Sequence, residues 1–359
     1  MGLLCWVDSP GSPSQAFPLL SGGRSLVPSH PAVFRTGRQS LTSTNNHQSS
    51  SCEIFFSFFF FFFFLSFEFA SLSSQNHDMT LGDFKKIFWM EWGHRQVGRF
   101  IGLEFLVGGA FFISRGWVSR SLALRMGGIA ALIGFQGLIG WLMVKSGLDH
   151  QIVEDRAVAR VSHYRLAAHL GTAFTIYAAM LWTGFDLLTK PLKDPKVLEA
   201  LRSPKVARFR TFSLVALGMV ATTAMSGALV AGLDAGLVYN EFPLMGGLVI
   251  PTDILSLSPK WRNFFDNATT VQFTHRYLAL TTATGIGALF LYAKKLPLPR
   301  PAKLAVHMLA GMAAIQVTLG ITTLLWFVPI PLASTHQAGS VALLSFALWL
   351  VHTLKIVPK

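Results

Sequence analysis

Charge is scarce in this chain. Only 13% of its 359 residues are charged, against 52% hydrophobic, where a soluble domain carries roughly a quarter charged. That shortage excludes the pair of soluble domains that the length alone would suggest. Cysteine is nearly absent as well. Cys5 and Cys52 are the only two, which excludes a disulfide framework, a Cys-ligated zinc and an iron–sulfur cluster. Acidic residues are the scarcest charge, 17 against 30 Lys and Arg, for a formal charge of +13. The cations sit mostly in alternate connections between apolar runs. That is the positive-inside pattern of a polytopic membrane protein, not a basic face for nucleic acid.

The N-terminal part differs in kind from the rest. Residues 1–53 are rich in Ser, Pro and Gly, carry Arg24, Arg35 and Arg38, and have no acidic residue between Asp8 and Glu53. This is the bias of an organellar transit segment, and equally of unstructured sequence without a function. Residues 54–75 hold a low-complexity tract with eleven Phe between Phe55 and Phe69. It is about long enough to cross a bilayer, yet unlike the mixed apolar composition of natural spans. Residues 1–75 are either a leader with an anomalous span or the mark of an incorrect gene model, and no function is rested on them.

Seven apolar stretches follow, at 97–114 (A), 122–144 (B), 166–188 (C), 211–231 (D), 271–293 (E), 302–328 (F) and 332–354 (G). Each is long enough to cross about 30 Å of hydrocarbon as a helix. The connections after A, C and E and the C-terminus are basic; the one from Lys190 to Arg210 has seven basic and two acidic residues. Strict alternation places these four segments on one side. The expected fold class is all-α, with seven transmembrane helices and the Phe tract in the place of a first.

An imidazole inside a span is costly and points to function. His94, His169, His275 and His336 fall at or just inside the starts of A, C, E and G, which run in one direction, so the four rings share a depth. Two bis-His haem sites are the natural reading, because neutral imidazole is a strong axial ligand. Zinc lacks a third and fourth ligand here. His307 and His352 lie at the opposite face, and His150 and His163 in the linker and rim before C.

An internal repeat supports the pairing. His94-Arg95 recurs as His275-Arg276, and Gln136-Gly-Leu-Ile-Gly140 recurs as Gln316-Val-Thr-Leu-Gly320 at nearly the same distance downstream. The next span in each half then brings His169 or His336. Arg95 and Arg276 suit haem propionates at the membrane rim, or equally interfacial snorkelling. One position breaks the symmetry: Glu91 stands three residues before His94, and Gln272 three before His275. Spacing of three puts each on the face of its histidine. A carboxylate at one site only suggests one reactive and one electron-transfer site, although Glu91 could equally cap the start of A. Glu104, deeper in A, is a candidate buried acid without an assigned role. Gly232 and Gly236, in the run from Ser226 to Asn240, have small-xxx-small spacing for close packing.

With these residues in view, the chain resembles the haem A synthases of the mitochondrial branch. The segments that carry the likeness are Met90-Glu-Trp-Gly-His-Arg95, Phe135-Gln-Gly-Leu-Ile-Gly-Trp141 with Met143-Val-Lys-Ser-Gly-Leu148, Tyr164-Arg-Leu-Ala-Ala-His-Leu-Gly171, Ser226 to Pro243, Val271-Gln-Phe-Thr-His-Arg276 and Ala333-Ser-Thr-His-Gln337. It covers about residue 76 to the C-terminus. The resemblance implies eight helices in two four-helix halves and oxidation of the C8 methyl of haem O to the formyl of haem A by water-derived hydroxylation. It implies that His94 and His169 hold the substrate haem, that His275 and His336 ligate a haem b, and that Glu91 is catalytic. On this likeness residues 76–190 form the substrate half, 191–210 a basic matrix-side linker and 211–359 the haem b half. The implied location is the mitochondrial inner membrane. The implied partners are haem O, membrane lipid, a haem O synthase, electron-donor or electron-acceptor proteins and a second copy of the chain.

The family opens its first half with a helix carrying a Ser-Gly-Leu-Ser-type motif, the counterpart of D. This chain has the Phe tract there. Haem b binding is therefore expected to be more robust than catalysis, and an inactive truncated form is one alternative. Another is a non-catalytic bis-His diheme cytochrome, against which Glu91 argues. A transporter is disfavoured by the parallel repeat and the lack of a broken helix.

Overall fold

The computed structural model describes residues 80–147, 161–189 and 194–355. Among them the regular structure is helical, apart from one isolated bridge between Met245 and Leu248. The long helices are α1 (Leu81–Ser114), α2 (Arg120–Gly147) and α3 (His163–Leu188). A short α4 (Pro195–Arg202) then leads into α5 (Pro204–Gly232). A loop with two short 3₁₀ turns and α6 (Asn263–Asp266) precedes α7 (Ala268–Ala293), α8 (Arg300–Leu325) and α9 (Ile330–Thr353).

Local sequence explains the boundaries. Thr80, Asp194, Ser203 and Asn267 each accept a backbone N–H from the first turn that follows, capping α1, α4, α5 and α7. Proline sits at the start of α4, α5, α8 and α9, where its missing N–H costs nothing.

Five helices are long and apolar enough to cross a membrane: α1, α2, α3, α5 and α8. This is a polytopic membrane protein. Seven apolar spans were expected, and α7 and α9 are long helices that fall outside the five. The reason lies in their polar residues, among them Gln272, His275 and Arg276 in α7 and His336 and Gln337 in α9. Helix α1 starts well before the expected residue 97. Its 34 residues reach about 51 Å at 1.5 Å per residue, more than the hydrocarbon needs. His94 consequently lies well inside a helix, not at its start.

The helices pack in neighbouring pairs: α1 on α2, α2 on α3, and α3 on both α5 and α9. In the second half α5 packs on α7 and α9, and α8 lies against α7 and α9. The main apolar core belongs to this second half, around Phe209, Ile286, Leu309, Leu344 and Leu350, with Phe174 and Trp182 of α3 against it. Gly109 is the one buried residue of α1, whereas α7 buries nine. Glu104 is exposed on α1 and has no partner among the described residues, so the expected buried acid is not one.

The two expected packing glycines serve different contacts. Gly232 ends α5 against His163 of α3, where an added Cβ would lie 2.6 Å from the His163 Cβ. Gly236 lies beyond the helix, in a 3₁₀ turn, against Val328. At the opposite end His352 of α9 bonds Asp186 of α3 at 3.0 Å, and Asp186 also holds Arg125 and Lys355. His307 bonds the Lys303 carbonyl one turn back. Both make hydrogen bonds within the bundle. His150 and the Phe tract lie outside the described residues.

Candidate haem-binding sites

Helices α1 and α3 bring His94 and His169 together edge-on, with ring centroids 6.5 Å apart and planes at 71°. Two imidazoles clasping one iron from opposite sides stand roughly 6 Å apart, about 2.0 Å for each metal–nitrogen bond and the rest for the rings. The spacing fits a shared iron. In the second cluster His275 of α7 and His336 of α9 stand on helices that both pack against α5 and α8.

Glycine makes room for three of the four rings. Gly140 of α2 underlies His169, Gly320 of α8 underlies His336 and Gly227 of α5 underlies His275. A Cβ at those positions would stand 2.8, 2.9 and 3.2 Å from the imidazole Cε1. The glutamines of the repeat reach the backbone of the ligand helices. Gln136 Nε2 donates to the His169 carbonyl at 3.0 Å, and Gln316 Nε2 to the His336 carbonyl at 2.7 Å. In the first half Gln136 Nε2 also lies 3.3 Å from His169 Nε2. His275 alone has its Nδ1 tied down, 2.7 Å from the Ser226 hydroxyl. That leaves Nε2 as the nitrogen available to a metal.

The asymmetric pair behaves differently in the two halves. Glu91 accepts a hydrogen bond from Arg95 Nη2, one turn on, and both side chains are about one-third exposed. Gln272 cannot form that ion pair. Its amide donates instead to the Tyr239 carbonyl at 2.9 Å, and Arg276 Nη1 donates to the Pro243 and Leu244 carbonyls. Both therefore brace the loop between α5 and α7. Asp253 organises that loop by accepting from Tyr239 and Thr269. Burial would raise its carboxyl, but these two hydroxyls outweigh it and hold it below the ordinary carboxylate range.

Buried polar atoms without a partner among the described residues are His94, His169 and His336 Nδ1, Gln136, Gln272, Gln316 and Gln337 Oε1, and Arg276 Nη2. Gln136 and Gln316 bond the carbonyls of His169 and His336, while Gln272, Arg276 and Gln337 lie within three residues of His275 or His336 in sequence. An unpaired buried group costs roughly 1–3 kcal/mol, so their concentration makes these clusters the candidates for a further group. Arg276 Nη2 calls for an anionic partner, as a propionate would be. No group of three or more His, Cys, Asp or Glu that could hold a bare metal ion occurs among the described residues.

Sequence reasoning named all four histidines, Arg95, Arg276 and Glu91, and the structure gathers them into two clusters. It passed over Ser226 and Gly227, treating that run as packing only. The signal was there: a small pair, Ser-Gly, one helix upstream of a His-Arg helix.

No solved structure matches this chain. Known sequences do. The human protein "Heme A synthase COX15" is 49% identical over 292 residues, covering 81% of this chain and 70% of the human one. "Heme A synthase" of Nitrosospira multiformis is 46% identical over 280 residues, 78% of this chain and 75% of the bacterial one. A "Heme A synthase-mitochondrial ferredoxin fusion protein" of Schizosaccharomyces pombe is 41% identical over 310 residues, 80% of this chain and 50% of the fusion. The model of the COX15-CtaA family, described as cytochrome oxidase assembly protein, matches residues 66–348, and the chain belongs to that family.

Proposed function

We propose that this chain is a haem A synthase, an oxidoreductase of the mitochondrial inner membrane that converts the C8 methyl of haem O to the formyl group of haem A. The observation that carries the reading is the pair His94 and His169 at iron-sharing distance, within a chain of this family. In this reading α7 and α9 also span the bilayer, which makes seven spans. They form two pseudo-symmetric halves, residues 76–190 for the substrate and 211–359 for a resident haem b, joined by the basic linker 191–210. Residues 1–53 and the Phe tract at 54–75 precede them.

His94 and His169 hold the substrate porphyrin in the first half; His275 and His336 hold haem b in the second. Bound there, haem b supplies reversible one-electron transfer at its iron. Arg95 and Arg276 anchor the anionic propionates near the rim. Turning a methyl into a formyl takes an oxygen from water and releases electrons and protons. Glu91 stands on the face of His94, oriented by Arg95. There it accepts protons from the attacking water and offsets developing positive charge. The fused ferredoxin in the yeast relative supports an electron-transfer protein as partner. A haem O synthase, membrane lipid and a second copy of the chain complete the proposed partners.

Glu91→Gln tests the assignment. The variant should keep its haem yet convert haem O at least about 10²-fold more slowly, the usual worth of a general base. Pigment extracted from cells lacking their own enzyme measures this, and full conversion would remove Glu91 from the chemistry. The same carboxylate distinguishes the enzyme from a diheme cytochrome, which has no use for it in one half only.

A further inference from the structure

We propose that Gln136 with Gly140, and Gln316 with Gly320, are positioning residues that orient His169 and His336 for iron ligation. This rests on the reading that these histidines hold haem. A metal-ligating histidine usually has its second ring nitrogen fixed by a hydrogen bond, which sets the ring's rotation. His275 follows that rule through Ser226. His336 does not, its Nδ1 being buried without a partner among the described residues, and His169 has only the 3.3 Å approach of Gln136 Nε2 to its Nε2, with Nδ1 unpartnered among the described residues. Their orientation has another source.

The source is a two-point clamp. The glutamine amide bonds the histidine's own carbonyl, at 3.0 Å in the first half and 2.7 Å in the second. That fixes the height and rotation of the ligand helix against its neighbour. Four residues on, the same neighbouring helix presents a glycine, and the imidazole edge lies in the slot left by its missing Cβ. Gln and Gly four apart share a helix face, so both grip one residue. The arrangement occurs on α2 against α3 and again on α8 against α9, with Cβ–Cε1 approaches of 2.8 and 2.9 Å. Occurrence in both halves argues against chance packing. Side chains on rigid helices hold such geometry better than loops do.

The second half allows a graded test on the purified full-length protein with its resident haem. Gly320→Ala drives a methyl into the His336 ring; Gly227→Ala, at 3.2 Å, presses less on His275; Gly311→Ala, on the same helix as Gly320 with no atom within 4 Å, is the control. Gln316→Met removes the donor at similar length. Gly320→Ala and Gln316→Met should shift the low-spin electron paramagnetic resonance signal and the haem midpoint potential. They should also weaken haem retention about fivefold, the worth of one hydrogen bond. Gly227→Ala should do less and Gly311→Ala nothing.

Signals for Gly320→Ala and Gln316→Met that match those of Gly311→Ala would overturn the clamp. If Gln316→Met does not fold, Gln316→Asn, which keeps the amide but shortens its reach, replaces it under the same criterion. A haem-free wild type, or haem retained in His336→Ala, would instead defeat the ligand assignment beneath. The two failures are thereby separable.

Discussion

The two histidine clusters, His94 with His169 and His275 with His336, are supported to different degrees. In the second, α5 supplies Ser226 and Gly227 to His275, α8 supplies Gln316 and Gly320 to His336, and the loop after α5 is pinned by Gln272 and Arg276. In the first, α2 gives His169 the same glutamine and glycine, but His94 has no counterpart of Ser226 or Gly227 among the described residues. Arg95 pairs with Glu91. A single change, Gln to Glu, thus moves that position from structural bracing to a charged pair beside a histidine. The two clusters share a pattern of residues and differ at the position three before the first histidine of each.

The largest effect should come from the ligands themselves. His275→Ala or His336→Ala should abolish the resident haem, read as pyridine haemochrome per protein. His169→Ala should leave that haem in place and lose haem O conversion. Equal haem loss in all three variants would erase the distinction between the halves.

Next is an attempt to make the second half like the first. Gln272→Glu forfeits the donor to the Tyr239 carbonyl, and should destabilise by about 1–3 kcal/mol without creating a second oxidising site. A thermal melt by haem absorbance gives the first quantity and pigment analysis the second. Preserved stability would mean the loop brace is immaterial.

The contact between the halves is tested by Gly232→Ala, whose new methyl would lie 2.9 Å from the His163 backbone Cα. Overpacking of this kind costs about 1–3 kcal/mol, visible as a lower melting temperature. The smallest effect concerns Asp266, before α7, which accepts from Tyr164 and Arg262 and lies 3.2 Å from His163 Nε2. The Tyr164 hydroxyl chiefly, then Arg262 and His163, hold its carboxyl below the ordinary range. A depressed folded-state pKa means that this tie is fully present above about pH 4, the unfolded value, and is lost as pH falls through the folded value. Asp266→Asn should therefore flatten the acid limb of the stability curve. An unchanged limb would show that the tie between α3 and this loop carries no pH dependence.

Long apolar runs and the scarcity of charge made the membrane class and most helix positions legible, because a bilayer admits few alternatives. Four histidines near one face and the His-Arg repeat made the candidate residues legible, since an imidazole in a span needs a reason to be there. The early start of α1 was not legible. Leu81–Gln96 is mixed in polarity, and its Thr80 cap and aromatic residues are weak signals beside the apolar run that follows. Short α4 was hidden in a linker read only for its charge.

What the sequence determined by itself is chemistry and depth: which residues can ligate, which carboxylate stands near them, and how far along each helix they fall. What only the tertiary structure decided is mutual support. That Gln316 grips His336, that Gly227 yields to His275 while Ser226 ties it, and that Arg276 braces a loop as Arg95 meets Glu91, all depend on contacts between helices. Periodicity along one helix reports which residues share a face. It carries no information about the atom that waits on the neighbouring helix.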